Sequence, residues 1–523
     1  MPSESSDAPQ PVGNLALARF ANVPASFLRR ITWAAGSRER EIVQESRGFA
    51  RVERTLPLVY LPDPSQGILG HVAFALKHES AHLGILANVF ARLTAADVAT
   101  YAEASPTGAY ARRIGYLYEL LTGTELPLHN PEAIAGNYVP LLDSAKMVTG
   151  LPKRSARWKV EDNLLGDRVY SPTIERTPQA QSALATDWSA KVRAAVAPSR
   201  HPELLRRALQ YLFRKETKSS FAIERETPSE ARATRFVTAL EQAGQGGVEA
   251  SLAEEHLSAI QRTIVDPRFA AKSFRTSQNY VGGMEGWELV IHYVSPPPAL
   301  VPEFMAGLLK SASRLRESDP LAQAALASFG FVFHHPFDDG NGRLHRYLIH
   351  DILVRRQVVP GGMALPISAA ILEDLSAYDR ALEAYSRRVA EIVRYDLSTS
   401  GELTVANLAE SAWVWRYPDL TPQVEFLAKI MERAIAMVPE ELEFLSRYDR
   451  LVRAVKEIVE LPDPRLNLLF SLIRANGGTL SNNKRKQSFT ELTEQEIEGI
   501  ESAYREIFGP AQGQASQTEG RVS

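Results

Sequence analysis

The chain has 523 residues, 45% hydrophobic and 23% charged, with a formal net charge of −3 at pH 7 and no cysteine. This composition fits a soluble globular protein of about two or three domains. The near-neutral balance offers no global electrostatic case for nucleic acid or membrane, and the missing cysteines exclude disulfides, thiolate nucleophiles and cysteine-ligated metals. No apolar run reaches membrane-spanning length, and the polar start Met1-Pro2-Ser3-Glu4 is no secretory signal, so a cytoplasmic location is expected.

Residues 1–12, rich in Ser and Pro, are expected to form a disordered tail. A mostly helical region is expected from 13 to 165, with apolar residues at helical spacing from Gly70 to Leu93 and from Gly108 to Thr122. The polar stretch Asp162–Pro178 reads as an extended connector. Near 217–226 a helix carries Ser220 and the charge run Glu224, Arg225, Glu226, whose ordinary reading is a solvated face. The segment near 280–296 reads as a short β-hairpin. It has turns at Gly282, Gly283 and Gly286, β-formers from Trp287 to Val294, and a stop at Pro296-Pro297-Pro298. Helices run through Leu372–Val393, and residues 403–510 form a helical C-terminal region. Within it, Asn476-Gly477 to Lys484-Arg485-Lys486 reads as the turn and wing of a winged-helix-like module, or as a solvated basic surface. Residues 511–523 are a low-complexity tail. The fold class is mainly α.

The run His335-Pro336-Phe337-Asp338-Asp339-Gly340-Asn341-Gly342-Arg343-Leu344-His345-Arg346 is the most informative stretch. Leu344, Tyr347, Leu348 and Ile352 after it keep helical spacing, so Gly340-Asn341-Gly342 sits where a loop enters a helix. A helix N-terminus presents unpaired N–H groups and the positive dipole end to an anion. Glycines let the backbone approach a phosphate. Arg343 and Arg346 share one helix face, and arginine's planar fork matches phosphate oxygens. Asp339 is a hard oxygen donor suited to Mg²⁺. His335, with an ordinary pKa near about 6.5, can accept a proton at neutral pH. Phe337 points into the core and pins the loop. No P-loop pattern occurs. His334, His345 and His350 crowd the same segment without a His-Glu-x-x-His pattern and read as core histidines. His350, four residues after Arg346, is placed to orient it.

These residues resemble the signature of Fic-domain proteins, His-x-Phe-x-Asp/Glu-Gly-Asn-Gly-Arg-x-x-Arg, at every defined position. The resemblance implies a Fic-type helical core over about 180–397, with flanking helical regions like those of long bacterial Fic proteins. It implies transfer of AMP from ATP to a Ser, Thr or Tyr hydroxyl of a target protein. His335 would be the base and Asp339 the Mg²⁺ ligand. Gly340, Asn341 and Gly342 would form the anion hole, and Arg343 and Arg346 would bind phosphates. Ser220 and Glu224 resemble the family's inhibitory motif, Ser/Thr-x-x-x-Glu-Gly/Asn, with Arg225 where Gly or Asn is usual. That implies a Glu224–Arg346 pair that blocks ATP. The hairpin resembles the flap that docks the target, with Gly282, Gly283 and Trp287 as its marked residues.

Two alternatives stay open. One is another Fic-type transfer (phosphate, UMP or phosphocholine) or removal of AMP; the Gly-Asn-Gly at 340–342 favours AMP. The other is a nucleic-acid-binding regulator acting through 475–490. A homo-oligomer is compatible with the sequence.

Overall fold

The computed structural model describes residues 8–46, 49–197, 202–246 and 248–509. It is mainly α-helical with small sheets. The chain divides into two compact units, residues 1–192 with 213–434, and residues 193–212 with 435–523.

The first unit begins with a four-stranded sheet, which corrects the expectation of a mostly helical start. In spatial order its strands are Gln10–Val12, Arg30–Ala34, Phe49–Leu56 and Arg40–Ser46. Arg30–Ala34 runs parallel to Phe49–Leu56, and the other pairs are antiparallel. Gln10–Val12 therefore does not belong to a tail, since Val12 pairs with Thr32 and is buried. Residues 1–7 and 511–523, the remainder of the expected tails at the two ends, lie outside the described residues. The sheet leaves little periodicity in the sequence because its strands are short and its buried side small. Val12, Ala34, Leu56 and Phe74 form that core, while the adjacent Glu53 and Arg54 put charge on both faces of the strand Phe49–Leu56. Helices Gly67–His78, Leu83–Phe90, Ala95–Ala104 and Ala109–Thr122 follow. A three-stranded sheet then places Val160–Asp162 between Val139–Pro140 and Lys153–Ser155.

At the centre lies the helix Pro320–His334, buried at every position from Leu321 to His334. A helix apolar all round is a core helix, not a surface one. Asp319 caps its start by accepting from the N–H groups of Leu321 and Ala322. Small residues let neighbours close in: a Cβ on Gly330 would stand 2.5 Å from Leu308 of the helix Val301–Arg314. A tight loop from His335 to Gly340 leads into the next helix, Asn341–Arg355, whose residues Leu344–Leu353 are all buried against the core. The hairpin Tyr280–Glu285/Glu288–Val294 is antiparallel, with a bulge after Val281. The helix Leu375–Ile392 packs beside its second strand.

The second unit includes the helices Asp463–Ala475, Asn482–Ser488 and Glu494–Phe508 around Leu451, Leu469, Phe470, Phe489 and Ile500. No strand occurs from 406 to 509 among the described residues, so no wing forms. The basic run, read as a wing or as a solvated basic surface, is a helix capped by Ser481, with Arg485 paired to Glu494. No single helix among the described residues is long and apolar enough to cross a membrane.

Candidate active site

His335 ends the core helix in a left-handed conformation, φ 49° and ψ 55°. This geometry swings its ring out of the helix while its N–H still reaches Phe331 O at 3.0 Å. Nδ1 lies 3.1 Å from Val332 O. A carbonyl can only accept, so Nδ1 carries the proton and Nε2 keeps its lone pair. Burial, with Arg275 acting in the same direction, pushes the imidazole pKa down to about 4, against opposing effects of Glu224, Asp339 and the Val332 bond. At neutral pH His335 is therefore an uncharged acceptor.

The loop beyond it is braced from inside. Phe337 is fully buried against Phe274 and Phe331. Asn341 is 2% exposed: its Oδ1 accepts from Phe337 N–H at 3.0 Å, and its Nδ2 donates to Phe337 O at 2.7 Å. Its side chain thus fastens the loop, which leaves the anion hole expected over Gly340, Asn341 and Gly342 to their backbone N–H groups. Gly340 caps the following helix at φ 88°, and a Cβ there would meet Val265 at 2.8 Å. Glycine alone satisfies both conditions.

The first two turns of that helix hold two buried arginines around one carboxylate. Arg346 is 1% exposed. It donates from Nη2 to Glu224 Oε1 and to Ser220 O, both at 2.7 Å, and from Nε to Ser220 Oγ at 3.0 Å. Burial alone would lower its pKa; Glu224 and Tyr378 outweigh that and raise it. Arg343, fully buried, brings Nε to 2.7 Å from Glu224 Oε2. That approach is a Coulombic contact, because the N–H is not aligned on the oxygen. Arg343 also pairs with Glu226 at 3.2 Å and Asp339 at 3.0 Å. A Cβ on Gly342 would stand 2.5 Å from Glu224 Oε1, so this glycine admits the carboxylate to the helix N-terminus. Glu224 touches both arginines, one more than the sequence reading expected, and sits where an incoming anion would bind. Glu226 was read as part of a solvated charge run; it joins the cluster instead.

Glu224 is held there by its own helix, Pro202–Ile223. Glu216, two turns earlier, is buried and accepts Ser368 N–H at 2.7 Å; burial raises its pKa to about 7. Arg225, just past the helix, has φ 57°. This left-handed position explains the family's preference for Gly or Asn, and an arginine occupies it at a cost of about 1 kcal/mol.

Asp339 has a side chain 42% exposed, with Oδ1 engaged by Arg343. Among the described residues no group of three metal-ligating side chains occurs. This donor set fits a Mg²⁺ that arrives with phosphates and water and needs only one or two carboxylates from the protein; it does not fit a protein-caged metal. His334, His345 and His350 are buried, with ring nitrogens lacking partners and pKa values pushed down to about 3, 3 and 4 by burial. His350 makes no bond to Arg346, contrary to the orienting role expected; it packs on Phe213.

A cavity of about 620 Å³ joins Glu224, Arg346 and His335 to an apolar wall of Ile223, Leu375 and Leu382. The hairpin contributes Val281, His292 and Tyr293 to it. The hairpin residues singled out from sequence face elsewhere. Trp287 stands fully exposed at the tip, and Gly283 has open space around it. Gly282 lets the paired strand close in, since a Cβ would lie 2.4 Å from Val290 O. Val281 and Tyr293 are cross-strand partners and so share one face.

Residues 251–353 match the model of the Fic/DOC family. Residues 251–353 are a Fic domain. The match takes in the hairpin and the loop His335–Arg346; Ser220 and Glu224 precede it. The protein adenylyltransferase fic-1 of Caenorhabditis briggsae is 32% identical over 142 residues, which covers 25% of this chain and 25% of that protein. The chain thus spans about a quarter of the length of this curated relative. Among solved structures, a Fic family protein from Desulfovibrio desulfuricans G20 aligns over 60% of this chain and 88% of its own, at 20% identity and TM-score 0.33. A Fic-1 fragment from C. elegans aligns over 69% and 92%, at 18% identity and TM-score 0.31.

Proposed function

We propose that this chain is a Fic-type transferase that moves AMP from ATP to a Ser, Thr or Tyr hydroxyl of a target protein, and that Glu224 holds it in check. The observation that carries the reading is the carboxylate of Glu224 lodged between Arg343 and Arg346 at a helix N-terminus, within the cavity lined by a neutral His335. A carboxylate in that position occupies the cations that ATP's phosphates need.

With Glu224 displaced, phosphate oxygens would take its place on Arg346 and on the N–H groups at Gly342 and Arg343. The nucleobase would fill the apolar half of the cavity, beside Ile223, Leu375 and Leu382. The target hydroxyl oxygen attacks the α-phosphorus, and the bond from that phosphorus to the bridging oxygen breaks. Pyrophosphate leaves, and the hydroxyl proton goes to Nε2 of His335. Positioning and electrostatic stabilisation supply most of the rate. Mg²⁺, bound by Asp339 together with the substrate's own phosphates, would neutralise charge on them. The name of the C. briggsae relative supports adenylyl transfer over phosphate, UMP or phosphocholine transfer.

Tandem mass spectrometry tests this. Lysate incubated with MgATP and the Glu224→Gly protein is expected to yield Ser, Thr or Tyr peptides bearing AMP, and none with Glu224→Gly/His335→Ala. Peptides bearing only phosphate would overturn adenylyl transfer, and identical peptides from both proteins would remove His335 from the reaction.

A further inference from the structure

Arg275 is 5% exposed and makes no direct ion pair among the described residues; the charge of Asp338 supports it from a distance without outweighing the burial. Taking a charge out of water without a counter-ion costs several kcal/mol, so its hydrogen bonds must compensate. They form a nearly complete set. Nε donates to His335 O at 2.8 Å, and Nη1 donates to Ser277 O at 2.7 Å. Nη2 donates to Pro296 O at 2.5 Å and Ser295 Oγ at 3.2 Å. Its own backbone N–H reaches Pro336 O at 2.8 Å.

The acceptors come from two separate pieces of chain. His335 and Pro336 open the catalytic loop. Ser277, Ser295 and Pro296 are the two feet of the hairpin that borders the cavity. Asn279 adds a strut from the same foot, donating to Phe337 O at 3.0 Å. The left-handed backbone of His335 persists only where its surroundings over-determine it, and Arg275 grips its carbonyl.

We propose that Arg275 is a positioning residue that locks the hairpin to the His335 loop, so that a target segment on the hairpin meets Nε2 in one fixed register; this rests on the adenylyl-transfer reading above. Only a guanidinium supplies donors in a planar fork able to reach four acceptors in two chain segments. Burial lowers its pKa to about 10, so it stays charged at neutral pH. The charge acts on the base as well. The charged groups facing His335 are Arg275, Glu224 and Asp339; the first favours the neutral ring and the other two oppose it.

The test uses full-length Glu224→Gly protein and adds Arg275→Lys and Arg275→Met. Transfer of α-label from ATP into lysate protein, ATP binding by calorimetry, and the His335 pKa by histidine NMR are read together. His335 is assigned by its loss in His335→Asn. Arg275→Lys is expected to cut transfer on the order of a hundredfold, as a misplaced reacting group does. ATP affinity and the His335 pKa should stay within about threefold and a few tenths of a unit of the parent, since a lysine ammonium keeps the charge. Arg275→Met should lose transfer and also raise the His335 pKa. Parental transfer by Arg275→Lys overturns the proposal. ATP binding lost in step with transfer overturns it too, because the arginine would then merely hold the fold. An absence of α-label from the Glu224→Gly parent itself strikes the adenylyl-transfer reading instead. The NMR measurement still reports whether Arg275 controls His335.

Discussion

Replacing Glu224 by Gly or Gln should make ATP bind more tightly and the free protein less stable, by related amounts. Arg346 would keep its two bonds to Ser220 and lose its carboxylate, while Arg343 would retain Glu226 and Asp339. Stripping a buried charge of its partner costs about 3–5 kcal/mol. Glu224 is 26% exposed, so water can enter the vacated space and the cost falls to about 2–3 kcal/mol. ATP bound to the wild type must displace that carboxylate; ATP bound to the variant does not. The same 2–3 kcal/mol therefore reappears as roughly 30- to 150-fold in Kd. Calorimetry with MgATP gives the affinity, and melting curves with and without nucleotide give the stability. The variants are expected to melt below the wild type without nucleotide and to gain more from it. Equal Kd values for wild type, Glu224→Gly and Glu224→Gln would refute the argument that the carboxylate and the phosphates compete for the same cations.

His335→Ala in the Glu224→Gly background should lower transfer by about 10²–10⁴-fold and leave ATP affinity within a few-fold, by rate and calorimetric measurement. Asn341→Ala leaves Phe337 N–H without its partner and Phe337 O with Asn279 alone, at about 1–3 kcal/mol of local stability; hydrogen exchange of the 335–343 amides should accelerate. Arg225→Gly should stabilise the protein by about 1 kcal/mol in denaturant melts by relieving a left-handed non-glycine residue. Acid should destabilise the fold. His82, His334, His335, His345 and His350 have folded-state pKa values near 4, 3, 4, 3 and 4, below the unfolded value of about 6.5. Between about pH 6.5 and 4 the unfolded chain binds more protons at these sites, so stability drops as pH falls. Glu79 and Glu216, raised to about 7, and Glu175, Asp319 and Asp379, also raised, act in the opposite direction, but His71, His78 and His256, also lowered by burial, add to the histidine side and keep it the larger. Denaturant midpoints should be lower at pH 5 than at pH 7; a higher midpoint at pH 5 would contradict the balance.

The loop His335–Arg346 was legible because its chemistry is local. Base, acid, glycines and arginines lie within one turn and the first helical turns after it, and Phe337 had to go inward. The Glu224 contact was legible only through resemblance, since nothing local tells a carboxylate which arginine lies across the core. Its second partner, Arg343, emerged only from the shared helix face. Asn341 shows the limit of motif reading: it sits in the turn expected to bind an anion, yet its side chain serves the loop backbone. Arg275 carries no sequence signal of its function, because all its acceptors but one are backbone carbonyls, which every residue has. The N-terminal sheet was missed for the reason most edge-rich sheets are. Its strands break the polar–apolar alternation, as at Glu53 and Arg54, and bury too little apolar surface to leave a strong pattern.

The most direct test compares transfer of label from α-labelled and γ-labelled ATP in lysate with Mg²⁺, using wild type, Glu224→Gly and Glu224→Gly/His335→Ala. Strong α-label with Glu224→Gly, weak with wild type and lost with the double variant, is the expected result. Equal α-label from wild type and Glu224→Gly would contradict the restraint by Glu224, and γ-label without α-label would contradict adenylyl transfer.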